Sequence, residues 1–429
     1  MRLRSRNRPA PRRRAGPASR VRAGLEVLAA SRPRWLRGRR VGLLMHPASV
    51  TSGLRSALET VSGVCGAALT ALFGPQHGIA GEKQDNMIES PHEQDRDKRI
   101  PIHSLYSETR KPTPEMLREV DVLLVDLQDV GTRVYTFEWT TALALEACAA
   151  AGKEVVVLDR PNPLGGEIIE GNLIRPGYTS FVGLYPVPMR HGLTLGEMAA
   201  LVNARMGGPG GTAGDPRPRR DGAGVECPGA CGLTVVPMQG WRRAMHYADT
   251  RLPWVLPSPN MPTPDTADVY PGQVLLEGTN LSEGRGTTRP FELFGAPYID
   301  GRALGERLAK RRLPGCILRP HAFQPVFHKW SGEVCQGFQL HVTDPRRFRP
   351  YFTTLAILQD VIALHRDKFA WKQPPYEYVT DKLPIDVLTG DPGVRESLEK
   401  GANLPALARS WRPEEAAFRR EARRFHLYD

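Results

Sequence analysis

Cysteine is sparse: six residues are scattered over a chain of 429. That excludes the disulfide framework of small secreted domains and fits a reducing compartment. Cys227-Pro-Gly-Ala-Cys231 is the one close pair, and no further ligands stand at finger-like spacing, so a zinc site is not expected. No apolar run approaches the ~20 residues of a membrane span. No GxGxxG follows a strand-like run and GxxxxGK[ST] is absent, which argues against a dinucleotide or a P-loop nucleotide. The absence of GxSxG removes the hydrolase nucleophile elbow. HExxH is absent too, and Asp126 and Asp129 with a histidine such as His77 lack paired-ligand spacing. Neither metal nor cofactor is therefore expected.

Acid is almost missing from the first forty residues, which hold 14 arginines and one carboxylate, Glu26. That stretch carries +13 of a net charge of +12, so the other 389 residues sum to −1. Residues 1–20 are expected to be a disordered Arg-rich tail. A nucleic-acid arm is the sharper reading, but no aromatic stacking residue precedes Trp35, so nucleic acid is not the expected partner. Arg12–Arg14 is not followed by an apolar segment, because Arg20, Arg22 and Glu26 interrupt it. An export signal is unsupported. The expected location is cytoplasmic, or periplasmic or secreted if translation starts elsewhere.

What is present is an alternation of apolar runs and helical segments. Val41–Met45, Ala67–Phe73, Val122–Leu127, Glu154–Leu158 and Leu233–Pro237 read as buried strands. Leu54–Val61, Glu115–Val120, Phe137–Ala151 and Thr194–Met206 read as helices between them. Near-continuous apolar strands separated by helices imply βαβ units and a parallel sheet covered on both faces. The fold class is α/β: a Rossmann-like doubly wound parallel sheet over residues 21–285, with a second, smaller α+β C-terminal domain over 286–429. In the latter, Gly301–Arg311 and Phe348–Arg366 read as helices, Cys316–Pro320 and Val334–Thr343 as strands, and Asp391–Asp429 as mostly helical. Gly207–Gly232, rich in Gly, Pro and Arg, reads as a loop insertion.

In an open α/β sheet, ligands bind beyond the carboxyl ends of the strands. Those ends are unusually polar here. Gln76, His77 and Glu82 follow the second strand. Asp126, Gln128, Asp129, Arg133 and Tyr135 close the third, and Asp159, Arg160 and Asn162 follow the fourth. Arg190 and His191 sit in Ser180–Gly192, while Ser258, Asn260 and Thr263 lie between the prolines of Pro257–Thr263. Glu277–Pro290 adds Glu277, Asn280, Glu283 and Arg285 among glycines and hydroxyls. Rigid loops carrying amides and hydroxyls suit a sugar. Glycoside hydrolysis needs two acid/base groups, with Glu82, Asp126, Asp129, Asp159, Glu277 and Glu283 as candidates.

GPQHG (74–78), YSETRKPTPEML (106–117), DLQDVGTRVYTF (126–137), DRPNPLGG (159–166), SFVGLYPVPMRHGLTLGE (180–197), PSPNMPT (257–263) and EGTNLSEGRGTTRPFELFGAP (277–297) resemble the DUF1343 family of exo-β-N-acetylmuramidases. The resemblance runs from about Val21 to the C-terminus. It implies a Rossmann-like catalytic domain, an α/β auxiliary domain and a cleft site between them. It implies release of N-acetylmuramic acid from non-reducing ends of peptidoglycan fragments, with no nucleotide. The family's first loop reads GPEHG, with the glutamate as its proposed catalytic residue, whereas this chain has Gln76. An amide cannot exchange a proton as a carboxyl does.

Three expectations follow. The first is an exo-acting glycosidase on a peptidoglycan-derived sugar or muropeptide. Glu82 takes the acid role left by Gln76, and Asp126, Asp129 or Glu283 is its partner. Arg133, Arg160, Arg190 and Arg285 are candidates for the lactyl carboxylate. His77, Gln128, Tyr135, Asp159, Asn162, His191, Ser258, Asn260, Thr263, Glu277 and Asn280 would contact the sugar. The second is a non-catalytic muropeptide binder. The third is a nucleic-acid-associated protein acting through its tail.

Overall fold

Val41–Met45 (β1) is the fourth strand of a nine-stranded sheet. The other strands are Leu69–Gly74 (β2), Glu93–Gln94 (β3), Pro101–Ser104 (β4), Val122–Asp126 (β5), Glu154–Leu158 (β6), Arg219–Asp221 (β7), Gly224–Cys227 (β8) and Gly232–Val236 (β9). Their order is β3-β4-β2-β1-β5-β6-β9-β8-β7. Pairing from β4 through β9 is parallel, and β3, β8 and β7 are antiparallel additions at the two edges. The computed structural model describes residues 20–65, 69–84, 87–95, 99–207, 219–221, 224–227 and 229–429. All but one residue of the tail expected over 1–20 lies outside those described.

All five residues of β1 and of β5 are buried, as a parallel sheet covered on both faces requires. Helices Gly24–Ser31 and Ala57–Cys65 cover one face, and Phe137–Ala150 and Leu195–Met206 the other. The last helix starts at a capping box: Thr194 accepts the Glu197 N–H, and Glu197 accepts the Thr194 N–H at 3.1 Å. No described helix is long and apolar enough to cross a membrane.

A second, three-stranded antiparallel sheet comprises Leu293–Ala296 (β10), Cys316–Phe323 (β11) and Cys335–Val342 (β12), in the order β10-β12-β11. Helices Gly301–Arg311 and Pro350–Leu364 pack with it, and four short helices fill Pro384–Ala422. Helix Pro264–Gln273 packs against Pro350–Leu364. A Cβ on Gly272 would fall 2.0 Å from Pro350 O, so only glycine permits that approach. The larger apolar core runs without a break from the first sheet through these helices.

Three local readings are corrected. Glu115–Val120 is a series of turns, because it forms isolated turn hydrogen bonds and no helical ladder. The helix expected at Leu54 begins at Ala57, since Leu54 has φ +64° and lies outside it. Within Gly207–Gly232, the β7–β8 hairpin extends the sheet along the free edge of β9.

Candidate active site

A cleft with about 500 Å³ of empty space opens at the carboxyl ends of β2 and β5. Gln76 and His77 reach it from the loop after β2, Tyr135 and Thr136 from the loop after β5, and Phe137 from the first turn of the helix that follows. Ser258, Asn260 and Met261 enter from the proline-rich loop. Tyr270, Glu277, Arg285, Phe291, Tyr376 and Glu377 close it from the C-terminal side. Polar edges and aromatic walls on several rigid elements give the cleft the make-up of a small-molecule site.

The loops are pinned from behind. His46, at the end of β1, donates from Nδ1 to Pro257 O at 3.1 Å and accepts the Gln128 N–H at Nε2. Burial, with the nearby Arg160 charge, holds its pKa down at about 3, so the ring stays neutral. Asn260 donates to Gln84 O at 2.6 Å, and His77 Nδ1 lies 2.7 Å from Lys83 O. Both contacts tie the cleft rim to the loop after β2.

Arg285 bridges two buried carboxylates on the C-terminal wall. It lies 2.6 Å from Glu277 Oε1 and 3.5 Å from Glu283 Oε1. Tyr376 donates to the other oxygen of Glu277 at 2.7 Å. Glu283 lies deeper, where Lys329 at 2.9 Å and His328 at 3.3 Å also face it. Burial pushes its carboxyl up, but Lys329, His328 and Arg285 together outweigh that and hold it at about 2. A carboxyl held so low is a poor proton donor at neutral pH, so the geometry makes Glu283 a brace for Arg285.

Glu377 is the acid that sequence reasoning missed. It sits in a two-residue turn closed by Tyr376 N–H to Val379 O at 3.0 Å and by Val379 N–H to Tyr376 O at 2.9 Å. Glu377 and Tyr378 take φ +44° and +65°, positions normally filled by Asn or Gly. Each costs about 1–3 kcal/mol for a residue with a side chain. The turn places the Glu377 carboxylate in the cleft, 4% exposed. Gln76 Nε2 donates to its Oε1 at 3.3 Å, and the Tyr106 hydroxyl to its Oε2 at 2.8 Å. Thr136 donates to Gln76 Oε1 at 2.6 Å, which turns the amide nitrogen toward Glu377. Burial, with the neighbouring Glu277 charge, pushes the Glu377 carboxyl above its ordinary value against the pull of these hydrogen bonds. The acid carried no strand-end signal. Its sequence clue was Pro374-Pro375-Tyr376-Glu377-Tyr378, an acid between aromatics after two prolines.

Other candidates fall outside the cleft lining, each with a partner of its own. Glu82 is half-exposed beside Lys83, 3.2 Å away. Asp126 takes a bidentate grip from Arg160 at 2.6 and 2.8 Å. Arg133, 1% exposed, donates to the carbonyls of Asn172, Val187, Leu388 and Thr389. Arg190 donates to Leu164 O, and Gln128 to Asp129 O and Pro161 O. Asp159 accepts from Thr194, Gly196 and Tyr428. Asn162 fixes its own turn, where a Cβ on Gly131 (φ +72°) would strike it. Thr263 caps helix Pro264–Gln273, and Asn280 binds Lys368 O and Tyr298. Of the four arginines proposed for a carboxylate, only Arg285 reaches the cleft.

Asp129, Glu138 and His191 are buried together, with one ligand atom of each within 4.8 Å of the others. Among the described residues this is the one group close enough to hold a metal ion. His191 Nδ1 accepts the Leu193 N–H at 3.1 Å, so in a neutral ring Nε2 carries the proton and faces Glu138 at 3.1 Å. That tautomer offers no lone pair to a metal. Burial, with the Glu138 charge, raises Asp129 to about 8, and burial raises Glu138 well above its usual range. The cluster lies off the cleft lining, so Asp129 is placed as a buried acid.

Two family models, the N-terminal and C-terminal parts of exo-β-N-acetylmuramidase NamZ, match residues 41–265 and 268–428. The chain belongs to the NamZ family. It is 40% identical over 408 residues to the peptidoglycan β-N-acetylmuramidase NamZ of Bacillus subtilis (strain 168), covering 95% of this chain and 91% of the relative. It is also similar to two crystal structures of DUF1343 family proteins from Bacteroides fragilis NCTC 9343. One has a TM-score of 0.81 at 34% identity, over 96% of this chain and all of the other. The second has a TM-score of 0.71 at 26% identity, over 96% and 99%. The motifs that raised the family resemblance fall within the two matched regions, and the cleft draws its lining from both.

Proposed function

We propose that this chain is an exo-acting glycoside hydrolase that releases N-acetylmuramic acid, or a closely related amino sugar, from the non-reducing ends of peptidoglycan fragments. The observation that carries the reading is the cleft shared by the two matched regions. It holds buried carboxylates beside one arginine, in a chain 40% identical to a peptidoglycan β-N-acetylmuramidase. Arg285 is placed to take a lactyl carboxylate by charge-assisted hydrogen bonds. His77, Tyr135, Ser258 and Asn260 orient hydroxyls and the acetamido group. No nucleotide, metal or nucleic acid enters the proposal.

Gln76 favours one rival, a muropeptide binder without turnover, because an amide cannot serve as acid or base. Hydrolysis of a chromogenic N-acetylmuramic acid β-glycoside, beside the N-acetylglucosamine analogue, separates the two. Turnover with preference for the muramic sugar supports the hydrolase. Binding of the muramic sugar without turnover supports the rival.

A further inference from the structure

We propose that Glu377, from the C-terminal part of the chain, is the general acid of this cleft, and that Gln76 and Tyr106 aim it. The assignment rests on the hydrolase reading above. Its geometric basis is the turn at Tyr376–Val379. Two successive residues with side chains hold positive φ there, and the result is to drive one carboxyl into the cleft. Strain of that kind is kept where function needs the placement.

Two side chains, Gln76 and Tyr106, hold the carboxyl. Thr136 sets the Gln76 amide, whose nitrogen can only donate, and it donates to Glu377 Oε1. Tyr106 holds Oε2, and the Met87 N–H anchors that hydroxyl at 3.1 Å. A hydroxyl can donate to the carboxylate or accept from the carboxylic acid, so Tyr106 serves both protonation states. The Arg110 guanidinium stacks 3.8 Å from the Tyr378 ring and 4.8 Å from the Tyr106 ring, bracing the turn from outside. Asp126, Asp129, Glu138 and Glu283 all lie off the cleft lining, and Asp126 and Glu283 are paired with cations as well. Glu277 and Glu377 are the carboxyls that line it.

The step balances without another reactant. Glu377 gives its proton to the glycosidic oxygen as the bond from that oxygen to the anomeric carbon breaks. The oxygen of a water bonds to the anomeric carbon, and that water's proton passes to Glu277. Solvent returns the proton from Glu277 to Glu377. One water is consumed, and a free sugar and an alcohol are released.

The test is leaving-group dependence in Glu377→Gln. A nitrophenyl leaving group departs without a proton, whereas a sugar hydroxyl needs one. The variant should keep most of its turnover of the nitrophenyl β-glycoside. It should lose about 10²–10⁴-fold on the disaccharide of N-acetylmuramic acid and N-acetylglucosamine. An equal loss on both substrates, as misfolding would give, overturns the assignment, and so does an undiminished rate on the disaccharide. If the natural chain turns over neither substrate, the hydrolase reading falls and takes this one with it. Turnover by the natural chain with no selective loss in the variant sinks the Glu377 assignment alone.

Discussion

Gln76 and Glu377 meet at 3.3 Å across the cleft, although 301 positions separate them in the chain. One comes from the loop after β2 and the other from a turn near the C-terminus, so the contact joins the two halves of the site. An amide that can only donate through its nitrogen faces a carboxyl that the Tyr106 hydroxyl also holds. The first prediction follows directly from that pair.

Gln76→Glu places a second carboxyl against Glu377. Two such groups in one site cannot both ionise easily, so one titrates higher. Glu277 already repels charge on Glu377 from one side, while Arg110 and the Tyr106 hydroxyl favour it. The alkaline limb of the kcat/KM profile should therefore move up by about one pH unit or more. An unmoved limb would mean that Glu377 does not set it.

Glu82→Gln should leave turnover close to that of the natural chain, because the Glu82 side chain is half-exposed beside Lys83 and off the cleft lining. Steady-state rates on the disaccharide check this. Abolished turnover in a folded variant would return the acid role to Glu82.

Arg285→Lys keeps a positive charge for Glu277 and Glu283 but loses the planar fork. The preference for N-acetylmuramic acid over N-acetylglucosamine glycosides should fall about 10- to 100-fold, as expected for a lost hydrogen bond to a charged group. Comparing kcat/KM for the two sugars removes any general damage to the site. An unchanged ratio would place the lactyl carboxylate elsewhere.

Asp129→Asn should stabilise the chain in alkali and change little in acid. The folded pKa of Asp129 is raised to about 8, so the folded state holds its proton more tightly than the unfolded state. That contribution is complete below an unfolded value of about 4 and fades as pH rises through about 8. Asparagine keeps the acceptor for the Gly131 N–H and cannot ionise. Denaturant unfolding at pH 5 and pH 9 should show a much larger gain for the variant at pH 9.

Arg133→Met should destabilise by about 3 kcal/mol or more, because four buried carbonyls each lose a charged donor. Sugar affinity of the folded protein should stay the same. A selective loss of affinity would instead make Arg133 a ligand contact.

The sheet was legible because its strands are apolar throughout and end in polar turns. Asp126 and Asp159 close or follow β5 and β6 where expected, and the loop after β2 does reach the cleft through Gln76 and His77. The arginines were not separable from sequence. Arg133, Arg160, Arg190 and Arg285 look alike in a string, and only packing decides which ends on carbonyls, which on a buried aspartate and which on the cleft. Glu377 was illegible for another reason. Its role depends on a strained turn and on Gln76 and Tyr106, 301 and 271 positions earlier in the chain, which leaves no local pattern. The β7–β8 hairpin was hidden by Gly- and Pro-rich composition, which usually marks loops.

The most direct test of the account is release of N-acetylmuramic acid from the peptidoglycan disaccharide by the natural chain, with Gln76→Glu measured beside it. The account predicts release by the natural chain, since Glu377 supplies the proton that Gln76 cannot. Silence in the natural chain, with release appearing only in Gln76→Glu, would contradict it and leave this cleft as a binder of the sugar.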